Sequence, residues 1–145
     1  MIALDTTAVI CVVEGNEPAR STIVPKLSAT RQTLVSAIAV AEVLVGPLRD
    51  GDRDLLDAYD VFFAGQELRV VPATEEICRA AATIRSKLGL KLPDAIQLAT
   101  AITHGCTEFV TTDTHFARCV GQVPLTLSII DRLPDTTGPG GPPTS

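Results

Sequence analysis

The sequence predicts an α/β fold, a three-layer α/β/α sandwich around a central, mainly parallel sheet of about five strands. Short apolar runs without polar alternation recur along the chain, as strands covered on both faces require. Between them lie stretches whose apolar residues repeat with a helical period. The changes of period fall at a Gly, a Pro or a residue able to cap a helix.

Ile2-Ala3-Leu4 is the first strand, closed by Asp5, and Thr6-Thr7 leads into a helix reaching Val13. Gly15-Asn16-Glu17-Pro18 stops that helix and opens a second, which Pro25 is expected to kink or shorten. Leu34-Val35-Ser36 is the second strand. Ala37, Val40, Ala41 and Leu44 then mark one helical face, and Gly46-Pro47 is expected to close it. Residues 50–60 mix acids with Leu55, Leu56, Ala58 and Tyr59, as a solvated helix does. Arg69-Val70-Val71 is the third strand, ended by Pro72. Thr74 caps a helix with Ile77, Ala80, Ala81, Ile84 and Leu88 inward and Gly89 at its end. Pro93-Asp94 begins another, with Ala95, Leu98, Ala99 and Ile102 on one face and Gly105 as its stop. Phe109–Thr111 and Leu125–Ile130 complete the sheet. One domain spans residues 1–133, and residues 134–145, with four Pro and three Gly, are expected to form a disordered tail.

The composition narrows the function. A chain of 145 residues suits one domain, and burial of roughly 70% of its unfolded surface removes the need for a disulfide or metal staple. Apolar residues at 46% and charged residues at 20% exclude a disordered chain. The longest uncharged stretches, 12 and 13 residues, are too short to span a bilayer, and no basic-then-apolar leader opens the sequence. The expected location is cytoplasmic, with no membrane partner. A net charge of −5 argues against gripping duplex DNA by charge alone, and 3% aromatic residues with no Trp argue against base-stacking platforms. A metal-dependent enzyme acting on nucleic acid survives both arguments, because a divalent cation neutralises phosphate locally. Cys11, Cys78, Cys106 and Cys119 have neither CxxC nor zinc spacing and read as small buried thiols. Neither GxGxxG nor GxxxxGK[ST] occurs, and the paired acids and late Lys of a phosphoacceptor domain are missing.

Four acids stand where charge is expensive. Asp5, Glu42, Asp94 and Asp113 are each the only permanently charged side chain in an apolar stretch. Asp5, Asp94 and Asp113 stand at predicted helix starts, where a capping Asp is ordinary. Glu42 lies inside a helix with no Lys or Arg at i±3 or i±4, so it is either an exposed edge residue or functional. Ligands of parallel α/β sheets bind beyond the carboxyl ends of the strands. Asp5 and Asp113 follow strands one and four, Glu42 lies in the helix after strand two, and Asp94 starts the helix feeding strand four. Four such carboxylates on one edge repel one another unless a hard divalent cation such as Mg²⁺ joins them, which suits metal-assisted phosphodiester hydrolysis.

Asp5-Thr6, the Ser36-to-Glu42 segment, Pro93-Asp94-Ala95 with Ile96 and Ala99, and Thr111-Thr112-Asp113 with Phe116 together resemble the PIN-domain family, over about residues 1–131. Within it, the chain looks like the ribonuclease toxins of VapBC-type toxin–antitoxin pairs. The resemblance implies a PIN-like fold and a Mg²⁺- or Mn²⁺-dependent endoribonuclease. It also implies a homodimer held inactive by a cognate antitoxin lying across the acidic site. It makes Asp5, Glu42, Asp94 and Asp113 the catalytic quartet, with Asp5, Asp94 and Asp113 as metal ligands and Glu42 orienting or deprotonating water or holding a second ion. Family members often carry Asn where Thr112 stands and a further acid where His115 stands. Without that acid a second ion is held more weakly, and one tightly bound ion is expected.

Thr6, Thr112, His115, Arg85 and Lys87 are the candidate RNA contacts. Arg79, Arg85, Lys87 and Lys91 precede the Asp94 motif and can either hold RNA backbone or form a solvated helix face. His115 reads as an exposed helix-start residue or as a contact to phosphate or water. The altered Thr112 and His115 positions also motivate a different expectation, a PIN-fold binding module with a weakened site.

Overall fold

The computed structural model describes residues 1–132, so the expected tail lies outside the described residues. Five strands form one sheet: β1 (Ile2–Leu4), β2 (Thr33–Ser36), β3 (Leu68–Val71), β4 (Glu108–Thr111) and β5 (Thr126–Ile129). Their spatial order is β3-β2-β1-β4-β5, and every neighbouring pair is parallel. The helices are α1 (Thr6–Glu14), α2 (Ala19–Ala29), α3 (Ala37–Asp50), α4 (Arg53–Phe63), α5 (Glu75–Leu88) and α6 (Leu92–Thr103), with a 3-10 helix over Thr114–Cys119.

Alternation along the strands divides the core. Ile2, Leu4, Val35 and Val110 pack with Ala8, Val9, Ile23, Ala39, Val43 and Tyr59 from α1 to α4. Ala3, Leu34, Val71 and Phe109 point the other way, onto Ile77, Ala81, Leu98, Ala99 and Phe116. Both faces of the sheet are therefore covered, which produces the three layers. Phe109 and Phe116 are fully buried with ring centroids 5.0 Å apart, so the 3-10 helix is pinned to β4 immediately beyond the acid-bearing turn.

One expected helix stop fails, at Gly46-Pro47, and Pro25 does not end its helix. Helix α2 runs through Pro25 to Ala29, and α3 runs through Gly46-Pro47 to Asp50, ending only at Gly51 with φ 65°. A proline inside a helix costs about 3 kcal/mol or more through a lost hydrogen bond and a clash. Here burial of Ala39, Val43 and Pro47 along one side of α3, and of Ala19 and Ile23 in α2, outweighs that local preference. Three of the four cysteines are buried thiols as expected, whereas Cys78 is exposed on α5.

Candidate active site

The strand order puts the switch point at β1. The chain adds β2 and β3 on one side of it, then returns to add β4 and β5 on the other. In such sheets the crevice for a ligand opens beyond the carboxyl ends of the strands at the reversal. Asp5 follows β1 and Asp113 follows β4, the two strands that flank that crevice.

Asp5 is 2% exposed and caps α1, its Oδ1 accepting from the Ala8 N–H at 2.9 Å and the Thr7 hydroxyl at 2.7 Å. Its Oδ2 accepts from the Thr111 hydroxyl of β4 at 2.5 Å. Burial pushes this carboxyl up from 3.8 to about 6, against the lowering effect of those three donors, with a small further push from Asp94. Thr111 Oγ1 in turn accepts from the Asp113 N–H at 2.9 Å, and Thr7 Oγ1 accepts from the Thr112 N–H at 2.9 Å. Two threonine hydroxyls thus stitch the ends of β1 and β4 together.

Asp94 differs from expectation. It is the third residue of α6, whose first turn starts from Lys91, so it is not a cap. It is half-buried, and among the described residues its carboxylate accepts no hydrogen bond. Burial raises its affinity for a proton, and the charges of Asp113 and Glu42 act the same way, opposed by Lys91 and His115. Asp94 thus feels the charges of Asp113 and Glu42, and Asp5 feels that of Asp94 weakly. Asp113 caps the 3-10 helix, and its Oδ1 meets both the N–H of His115 (2.9 Å) and His115 Nδ1 (2.7 Å). Glu42 is exposed on α3, its Oε1 accepting from the Thr6 hydroxyl at 2.6 Å and Gln97 Nε2 at 2.8 Å.

The donors suit a hard cation in kind. Each ionised carboxylate offers about four lone-pair positions, and one oxygen each of Glu42 and Asp113 and the whole of Asp94 stay open among the described residues. All are oxygens, the choice of Mg²⁺ or Mn²⁺ rather than of softer metals. In arrangement the set is loose: among the described residues, no three His, Cys, Asp or Glu side chains form a group that could hold a metal ion together.

The candidate RNA contacts fare variously. The Thr6 hydroxyl is committed to Glu42, and His115 is exposed but paired with Asp113. Thr112 is 5% exposed, and its hydroxyl has no hydrogen-bond partner among the described residues. Arg85 donates to the Leu90 carbonyl at 2.7 Å, so it braces the loop before α6, a loop that Arg118 also holds through the Gly89 carbonyl at 3.2 Å. Lys87 is exposed in the last turn of α5. Thr7, Thr111 and Gln97 are site residues that sequence reasoning missed. Gln97 alone left a signal, a lone amide on the apolar face of α6 one turn after Asp94. A cavity of about 490 Å³ lined by Leu27, Phe62 and Leu68 opens at the opposite end of the strands and holds none of the four acids.

Fold and site define a doubly wound α/β protein with an acidic edge at its switch point. The sequence matches the PIN domain over residues 2–121, and the chain belongs to the PIN-domain family. No curated protein matches it. Its fold is similar to that of VapBC2 from Rickettsia felis bound to a promoter DNA fragment, with TM-score 0.71, 17% identity and coverage of 90% of this chain and 100% of that one. A toxin–antitoxin complex from Klebsiella pneumoniae is similar with TM-score 0.64 and 28% identity, over 81% of this chain and 91% of that one. VapC20 from Mycobacterium tuberculosis, described as a sarcin-ricin loop cleaving toxin, matches with TM-score 0.60 and 17% identity, over 75% and 87% of the respective chains.

Proposed function

We propose that this chain is a metal-dependent endoribonuclease, the toxin of a type II toxin–antitoxin pair, hydrolysing RNA phosphodiester bonds at the acidic edge. The observation that carries this reading is Asp94, half-buried, without a hydrogen-bond or ion-pair partner among the described residues and pressed by the charges of Asp113 and Glu42. Such a group calls for a cation. Asp5 and Asp94 would be the principal ligands of Mg²⁺, or of Mn²⁺ in its place, with Asp113 binding directly or through water and water filling the rest of the shell. When bound, the ion supplies a Lewis acid and lowers the pKa of bound water. Glu42 orients or deprotonates the attacking water. Lys91, Lys87 and Arg85 supply positive charge to RNA backbone next to the acids. The similar structures described as VapBC and toxin–antitoxin complexes support a cognate antitoxin as partner. Pairing of two copies and a cytoplasmic location belong to the same reading. No helix among the described residues is long and apolar enough to cross a membrane.

The test is cleavage of end-labelled structured RNA with Mg²⁺, with Mn²⁺ and with EDTA, beside calorimetric titration of both metals. Wild type should cut only with metal, and Asp94→Ala should be folded and inactive. A second reading, a PIN-fold binding module with a weakened site, is favoured by the pairing of His115 with Asp113 and by the looseness of the acid set. Wild type that neither binds metal nor cuts RNA would favour that module.

A further inference from the structure

Gln97 is 3% exposed, and its amide is engaged on both ends. Its Oε1 accepts from the Thr6 N–H at 2.9 Å. Its Nε2 donates to Glu42 Oε1 at 2.8 Å and to Thr6 Oγ1 at 3.0 Å. The Thr6 hydroxyl, with its own proton, donates to the same Glu42 oxygen at 2.6 Å. The amide orientation follows from the partners rather than from choice. Turned over, it would set Oε1 against an acceptor-only carboxylate and Nε2 against the Thr6 N–H, opposing like groups at both ends.

The consequence concerns Glu42. Its side chain is long, starts from an exposed position on α3 and has no Lys or Arg at i±3 or i±4 to steady it; the helix's one basic residue, Arg49, pairs with Asp50. Its fixed oxygen is held by donors from two other elements, the first residue of α1 and the buried face of α6. Asp94 and Gln97 stand at i and i+3, hence on one face of α6. One helix face therefore carries an acid of the quartet and the amide that fixes another.

We propose that Gln97 is a positioning residue: it does not touch RNA or reacting atoms but holds Glu42 in place by donating to its Oε1, directly and through Thr6. This rests on the nuclease reading above. The experiment compares Gln97→Met, Glu42→Gln and the double variant. Kinetics on labelled RNA are combined with NMR of the Gln97 carboxamide in metal-free wild type and Glu42→Gln. Circular dichroism and melting curves establish that each variant is folded.

Gln97→Met is expected to lower kcat at least tenfold with KM for RNA unchanged within twofold. In the Glu42→Gln background the same change should cost less than twofold, because the residue it serves is already disabled. Gln97→Glu keeps the acceptor for the Thr6 N–H but loses the donor, and should be as impaired as Gln97→Met. Losses that multiply in the double variant, or an active Gln97→Glu, would overturn the proposal in favour of a packing role. If wild type cuts no RNA, the nuclease reading fails separately, and the carboxamide protons decide. Slow solvent exchange and a chemical-shift change on Glu42→Gln support the contact, whereas fast exchange or unmoved resonances refute it.

Discussion

Replacing Asp5 with Asn should make the metal-free protein more stable while removing its chemistry. The folded-state carboxyl titrates near 6 against an ordinary 3.8, with burial as the main cause. The folded state therefore binds more protons than the unfolded chain between those values, and this group's contribution falls as pH rises through that window. Below about 3.8 Asp5 is protonated in both states and carries no penalty. Above about 6 the penalty is complete, about 3 kcal/mol at about 1.4 kcal/mol per tenfold change in proton affinity. Asn imitates the protonated acid: its Oδ1 keeps the Ala8 N–H and Thr7 hydroxyl. Its Nδ2 faces Thr111 Oγ1, whose proton can turn toward Thr7 Oγ1 at 3.3 Å. Urea unfolding in EDTA should find Asp5→Asn close to wild type at pH 4 and about 3 kcal/mol more stable at pH 7.5, a rise in Tm of roughly 10 °C. Adding Mg²⁺ at pH 7.5 should stabilise wild type and leave the variant unmoved, and RNA cleavage should be lost. A stability difference that does not change with pH, or a variant weaker than wild type throughout, would refute the assignment of burial strain to Asp5.

Thr111→Val should destabilise the fold by about 1–3 kcal/mol, because it strips a donor from Asp5 and an acceptor from the Asp113 N–H. It should also move the acid limb of the cleavage pH profile upward, since a bond that lowers the Asp5 carboxyl is gone, as thermal melts and pH–rate curves will test. Burial raises the Glu108 carboxyl, but Lys26 at 2.7 Å and the Ser128 hydroxyl hold it below its ordinary value. The stability that Lys26 confers is accordingly present above the ordinary carboxylate range and lost as pH falls through the depressed value. Urea curves for Lys26→Met should differ from wild type by up to about 1 kcal/mol at pH 7 and converge in acid. His115→Ala removes the ring contact to Asp113 Oδ1 but keeps the backbone N–H bond to the same oxygen, and should leave Mn²⁺ affinity equal or tighter by calorimetry; a large loss would make His115 itself a ligand.

What was legible in the sequence was whatever local chemistry determines. Apolar runs such as Ile2-Ala3-Leu4 and Leu34-Val35 announced buried strands. Glu42 announced itself as a charge with no partner on its own helix. Gly46-Pro47 misled because its local cost is real but smaller than the burial of the helix it interrupts. Asp94 was legible as an isolated charge but not as the uncapped third residue of its helix, since one register step decides that. Thr7 and Thr111 were illegible for a deeper reason, and Gln97 showed only as a lone amide on an apolar helix face, with nothing to say what it held. Their roles depend on β1 lying beside β4 and on α6 approaching α1, pairings that no stretch of sequence encodes by itself.

The bond from Thr111 to Asp5 joins residues 106 apart, and β1 has no β4 to lie against until residues 108–111 have been made. Contacts of such separation form slowly, because a long loop must close before they are rewarded. On the ribosome, Asp5 thus waits for its Thr111 partner until β4 has emerged. A chain stopped before β4 would leave Asp5 without its Thr111 donor and would lack Asp113.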